Sequence, residues 1–219
     1  MERADVHAAR SAERASWLAR IYDATAWYWD SFLHVLTYAR AYRKLLASLA
    51  DDGRFSATSP QVLDCGIGAG LFSEAAVRAI GTRARVHGVD LSPRLLARAA
   101  ARLGRSGVTP LLGRADVREL PVRDAAMDLV LSALVLDHLA DPAPAIRELA
   151  RVARPGARVV LVTTRPLAPD LPFRLLFRYP RHRPEDVVRA MEAAGLSDVR
   201  RRSLTGIARA FAVAFTARA

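Results

Sequence analysis

An α/β domain built on one mostly parallel sheet is the fold this sequence predicts. Short apolar runs rich in β-branched residues alternate, after Pro60, with alanine-, leucine- and arginine-rich runs of helical length. The first apolar run feeds directly into three glycines at alternate positions, Gly66, Gly68 and Gly70. With 219 residues the chain has room for one well-buried domain, and two would be cramped. Cys65 is the only cysteine, so neither an intrachain disulfide nor a cysteine-rich metal site supports the fold.

Residues 1–59 read as a helical cap, with aromatics at Trp17, Tyr22, Trp27, Tyr28, Trp29 and Phe32. Asp51-Asp52-Gly53 and a Ser/Thr/Pro stretch up to Pro60 end it, and residues 60–219 form the core. Strands are expected at Gln61–Cys65, Ala84–Asp90, Thr109–Gly113, Met127–Ser132 and Ala157–Thr163. Between them, Gly70–Ile80, Pro93–Leu103 and Ala143–Ala153 read as helices. Ser92 offers a cap and Pro93 fits a first helical turn, while Arg154-Pro155-Gly156 stops the helix before the fifth strand. Right-handed βαβ crossovers then give a largely parallel sheet. Pro184–Ala194 makes a further helix ended by Gly195. Asp198–Leu204 and Ala208–Ala217 read as two strands of an antiparallel hairpin at the sheet edge, bringing the sheet to seven. Residues 165–183 interrupt the pattern as an insertion.

The formal charge is +11, and Lys44 is the only lysine. A polyanion-binding surface and a GC-rich coding sequence both account for the arginine bias. The arginines are scattered and form no dense block, which favours the second account, and no motif is aimed at nucleic acid. Met1–Ala15 lacks the apolar core of a secretory signal, and no apolar run reaches the roughly 20 residues that span a bilayer. The expectation is a soluble cytoplasmic protein, monomer or homodimer, with peripheral membrane contact left open.

The segment Val62-Leu63-Asp64-Cys65-Gly66-Ile67-Gly68-Ala69-Gly70 carries the chemistry. In an open parallel sheet the first strand–helix turn is where a nucleotide-like ligand sits, and glycine lets the backbone approach it closely. Such a loop is shared with dinucleotide enzymes and with plain tight turns. Asp64 narrows the choice. A carboxylate beside a phosphate is repulsive, whereas beside an ammonium group it is favourable, so the loop suits a cationic, phosphate-free nucleoside. Asp90, ending the second strand, is placed to accept both ribose hydroxyls; its other reading is a helix cap. Asp116, after the third strand, is either an acceptor for an adenine amino group, with the Val117 N–H beside it, or an ordinary solvated acid.

These residues resemble the class I methyltransferases that use S-adenosylmethionine. The likeness rests on Asp64–Gly70, Asp90, Ala115-Asp116-Val117 with Leu120-Pro121, Asp128-Leu129-Val130, and the run from Glu148 to Ala157. Within that class the chain is similar to the branch of ubiquinone/menaquinone C-methyltransferases, through Tyr22-Asp23, Trp27-Tyr28-Trp29-Asp30 and His182-Arg183-Pro184-Glu185-Asp186. The resemblance implies a Rossmann-like sheet and S-adenosylmethionine as cofactor, with no metal. By position it implies that Asp64 and Gly66 hold the methionine amino end while Gly68 and Gly70 shape the turn. Asp90 takes the ribose, Leu91 packs on the adenine, Asp116 and Val117 read its edge, and Ser132 faces the methionyl part and the acceptor. Ile67 and Ala69 depart from the cysteine and threonine common at their places, and neither change removes a needed glycine.

Direct displacement needs alignment and exclusion of water, and a base only where the acceptor holds a proton. His138, in Leu136-Asp137-His138-Leu139, and His182 are candidate bases, with a packing histidine as the other reading of each. Tyr22, Trp27 and Tyr28 are candidate substrate contacts, or helix packing residues. The 165–183 insertion reads as a substrate lid or as a segment at a lipid interface. The expected acceptor is small, quinone-like or lipid-like. A nicotinamide-dependent oxidoreductase and a non-catalytic cofactor-binding protein are the rival readings.

Overall fold

A computed structural model describes residues 32–50, 59–166 and 182–219. Seven strands form one sheet: β1 (Gln61–Cys65), β2 (Arg85–Asp90), β3 (Leu111–Arg114), β4 (Met127–Ala133), β5 (Ala153–Thr164), β6 (Ser197–Ser203) and β7 (Ala212–Arg218). The order is β3-β2-β1-β4-β5-β7-β6; the first five strands are parallel, and β7 runs antiparallel to both β5 and β6. The order reverses between β1 and β4, and that reversal opens a crevice beyond their C-terminal ends.

Residues alternate between two layers. On one face α1 (Phe32–Ala50) and α2 (Leu71–Ile80) cover Val62, Leu129, Leu131, Val160 and Val162. On the other, α4 (Ala143–Val152) and α5 (Pro184–Ala193) cover Leu63, Cys65, Val130, Val159 and Leu161. The third long helix of the core, α3 (Pro93–Arg105), closes a smaller cluster with Ile67, Val77, Val86 and Leu103. In the central parallel strands both faces are buried, which explains why they read as continuous apolar runs. Asp128 fixes the register at the far end, accepting from the Gln61 N–H at 2.7 Å and from Arg154 at 2.6 Å.

The Ser92 cap is as expected: its Oγ accepts from the Leu95 N–H at 3.2 Å, and Pro93 sits in the first turn. Three expectations need correction. The third strand begins at Leu111, not Thr109. Arg154-Pro155-Gly156 does not separate helix from strand: α4 ends at Val152, β5 starts at Ala153, and the Pro-Gly pair sits in an irregular stretch of pairing where Gly156 has φ 78°. The expected second hairpin strand begins with a short helix, α6 (Ala208–Phe211), and turns extended only at Ala212. Ala208 is buried against the α1 face, so tertiary packing overrides the local β tendency there.

Candidate functional site

The glycine loop leaves β1 at the crevice, and each glycine has a different task. Gly66 has φ 73°, and a Cβ there would lie 2.2 Å from Cγ2 of Val135 on the segment after β4. Gly70 has φ 81° and would bring a Cβ to 3.1 Å from Cα of Ala99 on α3. Gly68, at φ 52°, faces open space, with no atom within 4 Å of its would-be Cβ. Two of the glycines therefore permit packing, and the middle one leaves room above the loop.

The loop is held from both sides. The N–H groups of Gly66 and Ile67 donate to the Val89 carbonyl at 2.8 and 2.9 Å, tying it to β2. Asp90 accepts from the Gly68 N–H at 2.9 Å through one oxygen and from the Ser92 N–H at 2.9 Å through the other. Arg102 of α3 donates to the Ala69 carbonyl at 2.8 Å and pairs with Glu74 at 3.3 Å. Arg102 was not legible in the sequence, because only folding brings α3 against the loop.

Asp64 is 1% exposed. One oxygen accepts from the buried Ser73 hydroxyl at 2.6 Å; the other, equally buried, has no hydrogen-bond partner. Burial pushes its carboxyl up to about 7 despite the Ser73 bonds, and the nearby Asp90 charge adds to the rise. A buried carboxylate oxygen left without a donor costs free energy, and such a group calls for an explanation. A cationic ligand group supplies one. Ser73 belongs beside Asp64 in the site, a role its place one turn into a helix did not signal.

Asp116 is half-buried and bound by the Arg118 side chain and N–H, so the arginine holds its carboxyl below the usual range. Val117 is buried, and its loop is clamped by Glu148, which accepts from the Leu120 N–H at 2.7 Å, and by Arg151, which donates to the carbonyls of Leu120 and Val122. Leu91 is half-exposed beside Asp90. Ser132 is buried, and its hydroxyl donates to the Cys65 carbonyl at 2.9 Å, stitching the ends of β1 and β4 together.

After β4 the chain turns at Leu134, a non-glycine residue with φ 60°, into a 3₁₀ turn, Leu136–His138. Asp137 is buried there and accepts from the N–H and hydroxyl of Thr164 at 2.9 and 2.7 Å, joining this turn to the end of β5. His138 is half-buried, with its Nδ1 shielded from solvent. His182 Nε2 lies 3.0 Å from the carbonyls of both Leu136 and Leu139; two acceptors require it to carry the proton and donate. The two histidines named from separate parts of the sequence thus meet around one turn. Tyr22, Trp27 and Tyr28, and most of the 165–183 insertion, lie outside the described residues.

Two aromatics that the sequence did not single out cover the site from α1. Tyr38 and Tyr42 pack with their rings tilted by 48° and centroids 5.5 Å apart, and Tyr42 meets Phe72, the neighbour of Ser73, at 4.5 Å. Burial raises both phenols, and the charges of Asp64 and Asp137 raise Tyr42 further. A depression lined by Ser59, Arg83, Arg85, Gly107 and Thr109 lies at the opposite end of the strands and contains none of these carboxylates. Among the described residues no cluster of histidine, cysteine or carboxylates is arranged to hold a metal ion.

Residues 63–161 match the family model described as a methyltransferase domain. The chain is 33% identical over 109 residues to a phosphatidylethanolamine N-methyltransferase of Cereibacter sphaeroides, covering 49% of this chain and 52% of that protein. It is 32% identical over 102 residues to a ubiquinone/menaquinone biosynthesis C-methyltransferase of Bdellovibrio bacteriovorus, covering 47% and 43%. The chain spans about a third to a half of the length of the curated relatives it matches. Among solved structures, a magnesium protoporphyrin IX methyltransferase of Synechocystis PCC 6803 with bound SAH superposes with a TM-score of 0.75 at 19% identity, over 94% of this chain and 99% of that one.

Proposed function

We propose, from the match of residues 63–161 to a methyltransferase-domain model, that this chain is a class I methyltransferase that transfers a methyl group from S-adenosylmethionine to a small, lipid-like or quinone-like acceptor. The observation that carries the reading is Asp64, a buried carboxylate with one oxygen lacking a donor at the mouth of a glycine loop. That arrangement fits the ammonium end of the cofactor and repels a dinucleotide phosphate, which disfavours a nicotinamide enzyme. The open space at Gly68 and the Asp90 carboxylate beside it fit a ribose.

When bound, the cofactor supplies a methyl group already activated by its sulfonium. The chain's own residues then bind, orient and exclude water. Asp64, steadied by Ser73, holds the ammonium group. Asp90 takes the ribose hydroxyls, and its bonds to the Gly68 and Ser92 N–H groups fix the loop and the start of α3. Leu91 and Val117 flank the adenine, and Asp116 accepts from its amino group while Arg118 orients the carboxylate. Tyr38, Tyr42 and Phe72 dry the crevice from the α1 side. His138 packs on the 3₁₀ turn that His182 clasps, a place that suits a packing residue.

Titration calorimetry tests the reading: S-adenosylhomocysteine should bind and NAD should not, and the reverse result rejects it. Asp90→Ala should weaken S-adenosylhomocysteine by about 1–3 kcal/mol, since both the ribose bonds and the Gly68 anchor disappear; unchanged affinity removes Asp90 from the site. His138→Ala should leave turnover within about threefold of the parent, because loss of a true general base costs about a hundredfold or more.

A further inference from the structure

We propose that the rim formed by residues 202–211, at the active end of the sheet, docks on an anionic lipid bilayer and so presents the crevice to an acceptor dissolved in that bilayer. The inference rests on the methyl-transfer reading and names where its acceptor comes from.

The rim is placed by topology. Because β7 runs antiparallel to β5, its first residue Ala212 pairs with Thr164, the last of β5. The turn after β6 and the helix α6 therefore stand at the C-terminal end of β5, where Asp137 grips Thr164. At this end Ile207 is 68% exposed. The other large exposed hydrophobic among the described residues, Leu111, starts β3 at the opposite end of the sheet. Gly206, with φ 64°, makes the tight turn that leaves Ile207 outward while its neighbours Leu204 and Ala208 are buried.

Positive charge surrounds this apolar tip. Arg202 and Arg209 are exposed, and residues 199–211 contain no acid. Arg200 and Arg201 are paired with Asp198 and Glu185, whereas among the described residues Arg202 and Arg209 form no ion pair. Arginines that look scattered along the chain are here gathered beside one protruding isoleucine. The end of β5 is tied to this rim: the Arg165 N–H donates to the Phe211 carbonyl at 2.7 Å and its Nε to the Ala212 carbonyl at 3.2 Å. An apolar tip flanked by unpaired cations is the pattern that partitions into the interface of an anionic membrane. An acidic protein would pair the arginines but would give Ile207 no apolar partner.

Cosedimentation of the full chain with vesicles tests this. Binding to phosphatidylcholine vesicles containing phosphatidylglycerol should exceed binding to pure phosphatidylcholine by at least about tenfold, and should fall as salt shortens the screening length. Each surface arginine contributes about fivefold near such a membrane, so the R202E/R209E variant should lose more than about twentyfold. I207D should lose about tenfold through the isoleucine alone. Both variants alter exposed residues and should keep the parent's melting temperature and affinity for S-adenosylhomocysteine. Equal binding to neutral and anionic vesicles, no vesicle binding, or parental binding by both variants would overturn the proposal. So would retention on immobilised polyglutamate without any retention on vesicles, which would assign the rim to an acidic protein. If the parent binds vesicles but not S-adenosylhomocysteine, the methyl-transfer reading fails and the docking surface stands.

Discussion

Asp64→Asn is expected to weaken S-adenosylhomocysteine at least about a hundredfold at pH 8, while making the ligand-free protein more stable by about 2 kcal/mol at the same pH. Both effects have one cause. The carboxyl is buried, with Ser73 on one oxygen and no donor on the other, and burial pushes it up to about 7 from an ordinary 3.8. A folded-state value above the unfolded one means that the folded protein holds a proton which the unfolded chain has already released. The associated stability is present in full below about pH 4 and is lost as pH rises through 7. Asparagine, never charged, avoids that loss at pH 8 and keeps an acceptor for Ser73, but cannot pair with an ammonium group. The stability gain should therefore vanish by pH 5.

The same linkage gives the parent protein a pH-dependent affinity. Binding an ammonium group requires the ionised carboxylate, so below about pH 7 the ligand must displace a proton from Asp64. Calorimetry across pH should show affinity falling about tenfold between pH 8 and pH 6, with the slope absent in Asp64→Asn. A parent protein whose affinity is flat across that range would show that Asp64 does not face the ligand.

The second large effect separates the glycines. Gly66→Ala should destabilise the fold by about 3 kcal/mol, because the new methyl would lie 2.2 Å from a Val135 methyl and the backbone is left-handed at φ 73°. Gly68→Ala should cost only about 1 kcal/mol of stability, the backbone term alone, since its φ is 52° and nothing stands within 4 Å. Yet the Gly68 variant should lose cofactor affinity the more specifically, because its methyl would occupy the space left for the ligand. Thermal melts and calorimetry on the two variants check the split. Val135→Ala in the Gly66→Ala background should recover only the part due to the clash.

How much of this was legible follows from how locally each feature is encoded. The run Val62–Gly70 announces a buried strand, a turn and a ligand-sized opening within nine residues, because side-chain alternation and left-handed glycine are short-range properties. Asp64 and Asp90 could be singled out for the same reason: each lies within a residue of a strand's C-terminal end. The helix α6 could not, since the burial of Ala208 against α1 is a long-range fact. Ser73, Arg102, Tyr38 and Tyr42 were equally hidden. Nothing in a helix sequence tells which of its polar or aromatic residues will meet a strand end from another part of the chain.

The sequence by itself determined the order of strands and helices up to β6, the loop and the kind of ligand that its acid favours. Only the tertiary structure decided that Asp64 would be sealed with one oxygen lacking a donor, that His182 would clasp the turn bearing His138, and that Arg202, Arg209 and Ile207 would share a rim at the active end. The physical reason is that backbone preference acts over a few residues. Burial, and with it charge and proton affinity, is set by whatever the rest of the chain packs alongside.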